Sequence, residues 1–488
     1  FLHTLPFLIL PQEIVVFSER VLFYVSLAVG SYFGSKSVLV VIEESFGRID
    51  TYLLSILVFI YSVNSFTPMA WHSIDGVLFG SIGVYFILTG RTWVYTGVGL
   101  LFLSLAALTK QSFYPLPFAA IVYIFLSTRS SKKSGFSFAL LVLYAGGFYA
   151  FMSFTGMWTE FVAQTTSETT FRDAYTVGVY AYLHSSVLYF AIPLIIYLIL
   201  NHFRQLKWCQ ILMTYTPLVV VFFAFAYSTA FYLNRLFFKE MSYHDYLQLE
   251  YGDPVPTVLF IWAVIYLAAN AGNKRLFAGL GLMLSLSWCG AISWAHHSPH
   301  LYSAPWIIIP VIAGVQYFGT KTPDRLIWGL IALGLVVYYL AYLKPFNSEI
   351  RSKMDYDLGN VVPELSRING DQRIYSQLQE LSVLFKRYAK PSAVLPAMPM
   401  ADLFYKQPFP LPIDWPMNCE IASKHKQVLA AIGDNCYYIF INREWLDEEK
   451  KWNNENRKFS SKVTVFVSKN WQLVDNTGAY LIYKNPKK

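Results

Sequence analysis

The stretch "TPMAWHSIDG" at 67–76 sets His72 and Asp75 at the mouth of an almost wholly apolar run. An imidazole and a carboxylate are costly there unless they meet water or a partner. Asp75 starts the run, where a helix N-terminus favours an anion by a few tenths to ~1 kcal/mol. Two readings stay open for it: a plain interfacial helix charge, or an acid that engages a substrate hydroxyl, a divalent metal ion or, through a cation, a phosphate. A second ionisable group, Lys110, interrupts "LAALTKQSFYPLP". At about 1.5 Å per residue it lies roughly 25 Å beyond Trp93, which brings it level with Asp75 on the neighbouring span. It either snorkels to the headgroups or faces a cavity or partner, as intramembrane charges usually do.

Further polar groups fall on the same expected side. "WTEFVAQTTSETTFRDAY" carries Arg172 and Asp173. "NRLFFKEMSYHDYLQLEYGD" carries Arg235, Lys239, His244 and Asp245, and "SWAHHSPHLYSAP" carries His296, His297 and His300. Taken singly, each is a solvated loop residue. Taken together, they set cations, carboxylates and imidazoles over one apolar bundle. Such a cavity suits a substrate with a greasy tail and a phosphorylated head, with Lys110, Arg172 and Arg235 as candidate phosphate ligands. The chain contains no Gly-rich phosphate loop, no metal-type Cys or His spacing and no nucleophile elbow.

The elements that must position these residues are membrane helices. Of the 488 residues, 55% are hydrophobic and 14% charged, where soluble domains carry roughly 25% charged. Twelve apolar runs predict spans at about 17–42, 49–65, 74–90, 93–112, 114–127, 136–156, 184–200, 209–233, 255–271, 276–295, 304–319 and 326–343. Pro115 and Pro117 split 93–127 into a helical hairpin. The fold class expected is therefore a polytopic α-helical membrane bundle over 1–343 with a small C-terminal α/β domain over 344–488.

Loops "FGRID", "GRTW", "TRSSKK", "HFRQLK", "NKR" and "TKTPDR" hold about eleven Lys or Arg and are cytoplasmic by the positive-inside rule. The opposite loops hold only Arg172, Arg235 and Lys239 against many carboxylates. Residues 1–13 and 344–488 are then extracytoplasmic. With no signal-peptide pattern before the first run, an outer start predicts at least one further span upstream of Phe1. The net charge of +8 follows from cytoplasmic loop lysines and arginines and calls for no nucleic acid.

In the tail, "QRIYSQLQELSVLFKRYA" predicts a helix and "CYYIFIN" a buried strand. The alternating runs "KVTVFV" and "YLIYK" read as strands. "LDEEKKWNNENRK" reads as a solvated charged helix or loop. Cys209 and Cys289 are small apolar residues within the spans. In an oxidising space, Cys419 and Cys436 are a candidate disulfide.

Several stretches resemble the GT-C class of membrane glycosyltransferases, nearest the protein mannosyltransferase and lipid A aminoarabinose transferase group. "WHSIDGVLF" is similar to the acidic start of one of their spans. "GVGLLFLSLAALTKQSFYPLPFAAIVYIFL" resembles their Leu/Ala-rich "ALLTK" hairpin. "FSERVLFYVSLAVGSYFG" resembles their Arg-headed span, and "VLPAMPMADLFYKQPFPLPIDWP" the opening of their outer domain. The resemblance covers nearly the whole chain. It implies a transferase that moves a sugar from a polyprenyl-phosphate donor to a lipid, glycan or protein acceptor on the outer face of a bacterial inner membrane. It implies Asp75 as the second acidic position of the family, with His72 beside it organising the head group or holding a divalent ion, and Lys110 as the "TK" lysine. The principal base would lie upstream of Phe1 unless Glu13 or Glu19 replaces it. The rival readings are a lipid-linked glycan flippase or transporter, a surface-glycan polymerase or ligase, and a non-catalytic scaffold. Transporter sites lie near the midplane, whereas these charges gather at one face.

Overall fold

The apolar runs do become helices, and short polar side chains set where several of them start. The computed structural model describes residues 5–42, 49–63, 68, 72–90, 92–165, 195–196, 199–200, 202–203, 205–237, 254–269, 272–292, 300–318, 323–344, 350–396, 404–405, 411, 416, 425–451 and 461–488. Its helices are α1 (Leu5–Ile9), α2 (Gln12–Ile42), α3 (Thr51–Val63), α4 (His72–Thr89), α5 (Trp93–Thr109), α6 (Pro115–Thr128), α7 (Ser131–Phe154), α8 (Trp158–Thr165), α9 (Lys207–Phe237), α10 (Pro254–Ala269), α11 (Lys274–Ile292), α12 (Ala304–Phe318) and α13 (Pro323–Leu343). The tail adds α14 (Gln372–Arg387), α15 (His425–Asn435), α16 (Arg443–Lys451) and α17 (Lys462–Asn470). Asp50 Oδ1 accepts from Leu53 N at 2.8 Å to start α3, and Ser130 Oγ accepts from Lys133 N at 3.2 Å to start α7. Both oxygens satisfy amide groups that a helix N-terminus leaves without partners.

A helix stands at each expected span except 184–200, most of which lies outside the described residues. Among the described helices, α2, α4, α7 and α13 are long and apolar enough to cross a membrane, and several shorter apolar helices accompany them. The structure shifts one boundary. The span expected over 93–112 ends at Thr109, and Lys110 is extended (φ −160°, ψ 144°). A 3-10 turn, Gln111–Phe113, follows, and Pro115 opens α6. Proline lacks the N–H that an uninterrupted helix would need, so the chain breaks ahead of it.

The chain forms two compact units, and each is described on its own. The first comprises most of the chain to Arg351; the second comprises Ser352–Lys488 together with Pro6–Ser18. In the first unit, α4 and α5 form an antiparallel pair joined through residues 90–92, and α4 also packs on α6 and α11. Glycines make the close approach possible. A Cβ added at Gly83 would lie 2.9 Å from Gly99 O, and one at Gly99 would lie 3.1 Å from Gly83 O. Hydroxyls tie other helices together. Ser303 Oγ donates to Val58 O at 2.7 Å, Ser62 Oγ and Ser303 Oγ are 3.0 Å apart, and Tyr61 OH donates to Leu330 O at 3.2 Å.

The second unit holds a four-stranded sheet, in the order β3 (Ser392–Leu395), β4 (Tyr438–Asn442), β6 (Tyr480–Lys484), β5 (Gln472–Asn476). A two-stranded ladder, β1 (Tyr356–Asp357) with β2 (Asn369–Gly370), accompanies it. β3 runs parallel to β4; β6 is antiparallel to both β4 and β5. Strand alternation sorts the side chains onto two faces. Ala393, Leu395, Ile439, Ile441 and Tyr483 join Val428 and Ile432 of α15 with Val463 and Val467 of α17. Val394, Phe440, Tyr480 and Ile482 join Leu381, Leu384 and Phe385 of α14. The sheet is thus sandwiched between helices.

"KVTVFV" is corrected here: it is the first part of α17, not a strand. Val463, Thr464 and Val467 are buried, a helical spacing that the alternating valines disguise, and Ser461 Oγ caps it by accepting from Thr464 N at 3.2 Å. "QRIYSQLQELSVLFKRYA" gives α14, "CYYIFIN" gives β4 and "YLIYK" gives β6. The charged stretch begins in α16, and residues 452–460 lie outside the described residues.

Asp371 is buried and caps α14, its Oδ1 accepting from Ile374 N at 2.8 Å. Asp371→Ala is expected to cost about 1 kcal/mol, read as a lower thermal midpoint of the full chain. Asp371→Asn keeps the accepting oxygen and should stay close to the parent; equal loss in both variants would remove the cap from the account.

Candidate functional site

Asp75 lies in the first turn of α4 and is 2% exposed. Its neighbours Ser73 and Ile74 are also buried, whereas His72 at the helix start is exposed. The two residues expected side by side therefore differ in environment. The carboxylate faces the bundle interior and the imidazole faces outward.

Lys110, half-buried, occupies the break between α5 and α6. The contact that aligns it with Asp75 runs through Gly76. A Cβ at Gly76 would run into the Phe113 ring and lie 2.8 Å from Thr109 Oγ1. The residue after Asp75 therefore rests on the residue before Lys110 and on the 3-10 turn that follows it. Thr109 Oγ1 donates back to Ala106 O at 2.7 Å, closing the last turn of α5. Phe113 N and Tyr114 N donate to Lys110 O and Gln111 O at 3.0 and 3.1 Å, so the break is a defined turn. His72, Ser73, Asp75, Lys110 and Gln111 all have interaction partners. Among the described residues, the Ser112 hydroxyl is buried and makes no hydrogen bond.

This arrangement places a buried carboxylate, an ammonium and a hydroxyl about one helix-pair junction. It can hold a phosphorylated or hydroxylated head group at the lysine and orient it from the carboxylate. The sequence alone did not single out Gly76 or Ser112. The only available signal was the "DG" pair at a helix start, which is also an ordinary turn signature.

The remaining candidates are placed unevenly. Arg172 and Asp173 lie outside the described residues, as do Lys239, His244, Asp245, His296 and His297. Arg235 belongs to α9, and its side chain is among those the structure does not describe. His300, expected as a solvated loop residue, is instead buried at 6% exposure. The chain turns into α12 after it, and Leu301 and Tyr302 are buried as well. Glu13 is exposed, while Glu19 is buried. No three His, Cys, Asp or Glu side chains gather as a metal site among the described residues. The described surroundings of Asp75 thus do not supply a cation cage.

Cys436 is a free thiol with no exposed surface, and burial pushes its pKa up to about 12. Its expected disulfide partner, Cys419, lies outside the described residues. Asn485 seals this corner by donating through Nδ2 to Gly433 O and Cys436 O, both at 2.8 Å. Native Cys436 is expected to alkylate roughly a thousandfold more slowly than a free cysteine at pH 8, because so little of it is thiolate. In denaturant without reductant it should take up one alkyl group at once. Blockage until reductant is added would establish a disulfide instead.

No known protein family, curated protein or solved structure matches the chain.

Proposed function

We propose that the protein is an integral membrane glycosyltransferase of the GT-C type. In this reading twelve helices cross a bacterial inner membrane, and the C-terminal α/β unit is extracytoplasmic. A sugar passes from a polyprenyl-phosphate donor to a cell-envelope acceptor on the outer face. The observation that carries the proposal is the pairing of a buried Asp75 with the Lys110 break through Gly76. The resemblance of "WHSIDGVLF" and the "TK" hairpin to that class supports it.

The chemistry is a displacement. An acceptor oxygen forms a bond to the anomeric carbon while the bond from that carbon to the phosphate oxygen breaks. The phosphate leaves with the electron pair and the acceptor proton passes to a base. Negative charge grows on the leaving phosphate, so a cation aimed at it stabilises the transition state more than the ground state. Lys110 supplies that cation. Arg172 and Arg235 are the further candidates for the phosphate. Asp75 orients the head group. General base action on the acceptor contributes about 10²–10⁴-fold and is assigned to a carboxylate other than Asp75. Direct attack inverts the anomeric centre.

The test is transfer of labelled sugar from a polyprenyl-phosphate donor by the full-length protein in membranes, with Asp75→Asn and Lys110→Ala beside the parent. Loss in both variants is expected. Full activity in both would remove this site from the mechanism.

A further inference from the structure

The second unit has one strongly basic end. Ser392 of β3, Tyr438 of β4, Lys484 of β6 and Gln472 of β5 form a row there as register partners across the sheet. Lys390 lies just before the row on the β3 side, Lys469 just before it on the β5 side, and Lys487 and Lys488 just beyond it after β6. Contacts hold two of these lysines at one ring. Lys390 Nζ stands 4.6 Å from the centre of the Tyr437 ring, and Lys488 Nζ stands 4.7 Å from it. Both distances are within cation–π range.

This end is built and not frayed. Tyr437 N donates to Pro391 O at 2.8 Å, and Asn485 N donates to Tyr437 O at 2.9 Å. Asn485 is buried, and its Oδ1 accepts from Lys487 N at 3.0 Å. Lys488 Nζ also donates to Asp434 O. Lys390, Lys469, Lys487 and Lys488 are exposed. Asp475, the carboxylate of β5, is engaged by Arg387 and by the Tyr388 hydroxyl, both at 2.9 Å.

Lysines gathered at one end of a domain attract a surface of negative charge. Here apolar groups are interleaved with them. Tyr437 lies between two of the ammonium groups, Phe466 precedes Lys469 on α17, and Leu473 adjoins Gln472; Phe466 and Leu473 are 41% and 49% exposed. Long lysine stems beside rings suit the headgroup layer of a bilayer, where the apolar parts sink and the polar tips stay wet. Connectivity favours the same partner. The second unit opens at Ser352, nine residues after α13 ends at Leu343. A chain of that length reaches at most about 30 Å, so a membrane crossed by α13 is always close, and a short tether strengthens a weak surface contact. We propose that this end of the sheet docks the second unit on membrane lipids with anionic headgroups. The inference rests on α13 crossing a membrane and does not depend on sugar transfer.

The test places the full-length protein in lipid nanodiscs, one set of phosphatidylcholine alone and one with added phosphatidylglycerol. The rate at which an amine-reactive label modifies each lysine is then measured. Lys484 and Lys487 should label about fivefold more slowly in the phosphatidylglycerol discs, the scale of one lysine's attraction to an anionic surface. Salt near 1 M, which screens charges beyond about 3 Å, should remove the difference. Lys426, in the first turn of α15 and a helix length from Tyr437, is the control within each sample and should label alike in both discs. Lys390→Gln combined with Lys488→Gln should release Lys484 and Lys487, whereas Lys390→Arg with Lys488→Arg should keep them protected, which separates charge from packing. Incorporation into the discs tests the membrane reading separately. Equal labelling in both discs would overturn the assignment and leave this end to a soluble acidic partner. Equal slowing of Lys426, or slowing that persists in the glutamine variant at an unchanged melting temperature, would overturn it as well.

Discussion

Asp75→Asn is expected to lower sugar transfer from a polyprenyl-phosphate donor by about 10²-fold or more while leaving the protein folded. The substitution keeps the size and one accepting oxygen of the side chain and removes only the charge. Asp75 is 2% exposed, and a buried charge acts through a lower effective dielectric than a surface one, so its loss is felt strongly by a bound head group. Folding should not suffer comparably. The amide removes a charge that is costly to bury and keeps an accepting oxygen for the partners that Asp75 has. The measurement is initial rate against donor concentration, with the thermal midpoint taken on the same preparation. Lost rate at an unchanged midpoint assigns Asp75 to the reaction. A collapse of the midpoint alongside the rate would reduce it to a structural charge, and His72→Ala, at an exposed position beside it, should change far less.

Gly83→Val should be the most damaging single change in the bundle, at about 3 kcal/mol or more, the upper end for overpacking a filled interior. The first added carbon would fall 2.7 Å from Leu103 Cδ2 and 2.9 Å from Gly99 O. The leucine tip can swing away; the carbonyl belongs to the backbone of α5 and cannot, so the two helices must separate. Gly83→Ala should show a smaller loss in the same direction. Gly281→Ala is the control, since its nearest neighbour would be 3.9 Å away and alanine is the better helix former. Thermal melting of the purified variants decides the order. If valine at 83 melts with the parent, the tight α4–α5 crossing is absent in the membrane. Because the same helix pair presents Gly76 to Thr109 and Phe113, activity is expected to fall with the spacing even where the chain still folds.

The candidate site is partly legible in the amino-acid sequence. Charges in apolar runs stand out because membrane interiors tolerate few of them, so Asp75 and Lys110 are visible there, and rise per residue puts them at one level. Their relative burial is not visible. His72 and Asp75 have the same local sequence setting, and which of them turns inward depends on the helices packed around α4. His300 shows the same limit, since its histidine-rich, proline-containing surroundings read as an open loop while the chain packs it away ahead of α12.

The sequence by itself determined that the first two thirds of the chain is helical, and where the α5–α6 break falls to within a few residues. Long apolar runs have few other ways to satisfy backbone groups away from water, and Pro115 cannot continue a helix hydrogen-bond ladder. It likewise determined β4, β6 and α14, whose periodicities are unambiguous. Tertiary structure alone decided that "KVTVFV" is a helix, because its valines satisfy both a strand and a helix until the sheet face they cover is known. It also decided that Gly76 joins Asp75 to the Lys110 turn and that the Tyr61 hydroxyl reaches Leu330 O across 269 residues. Those are contacts between distant segments, and local pattern carries the shape of each segment but not the identity of its neighbour.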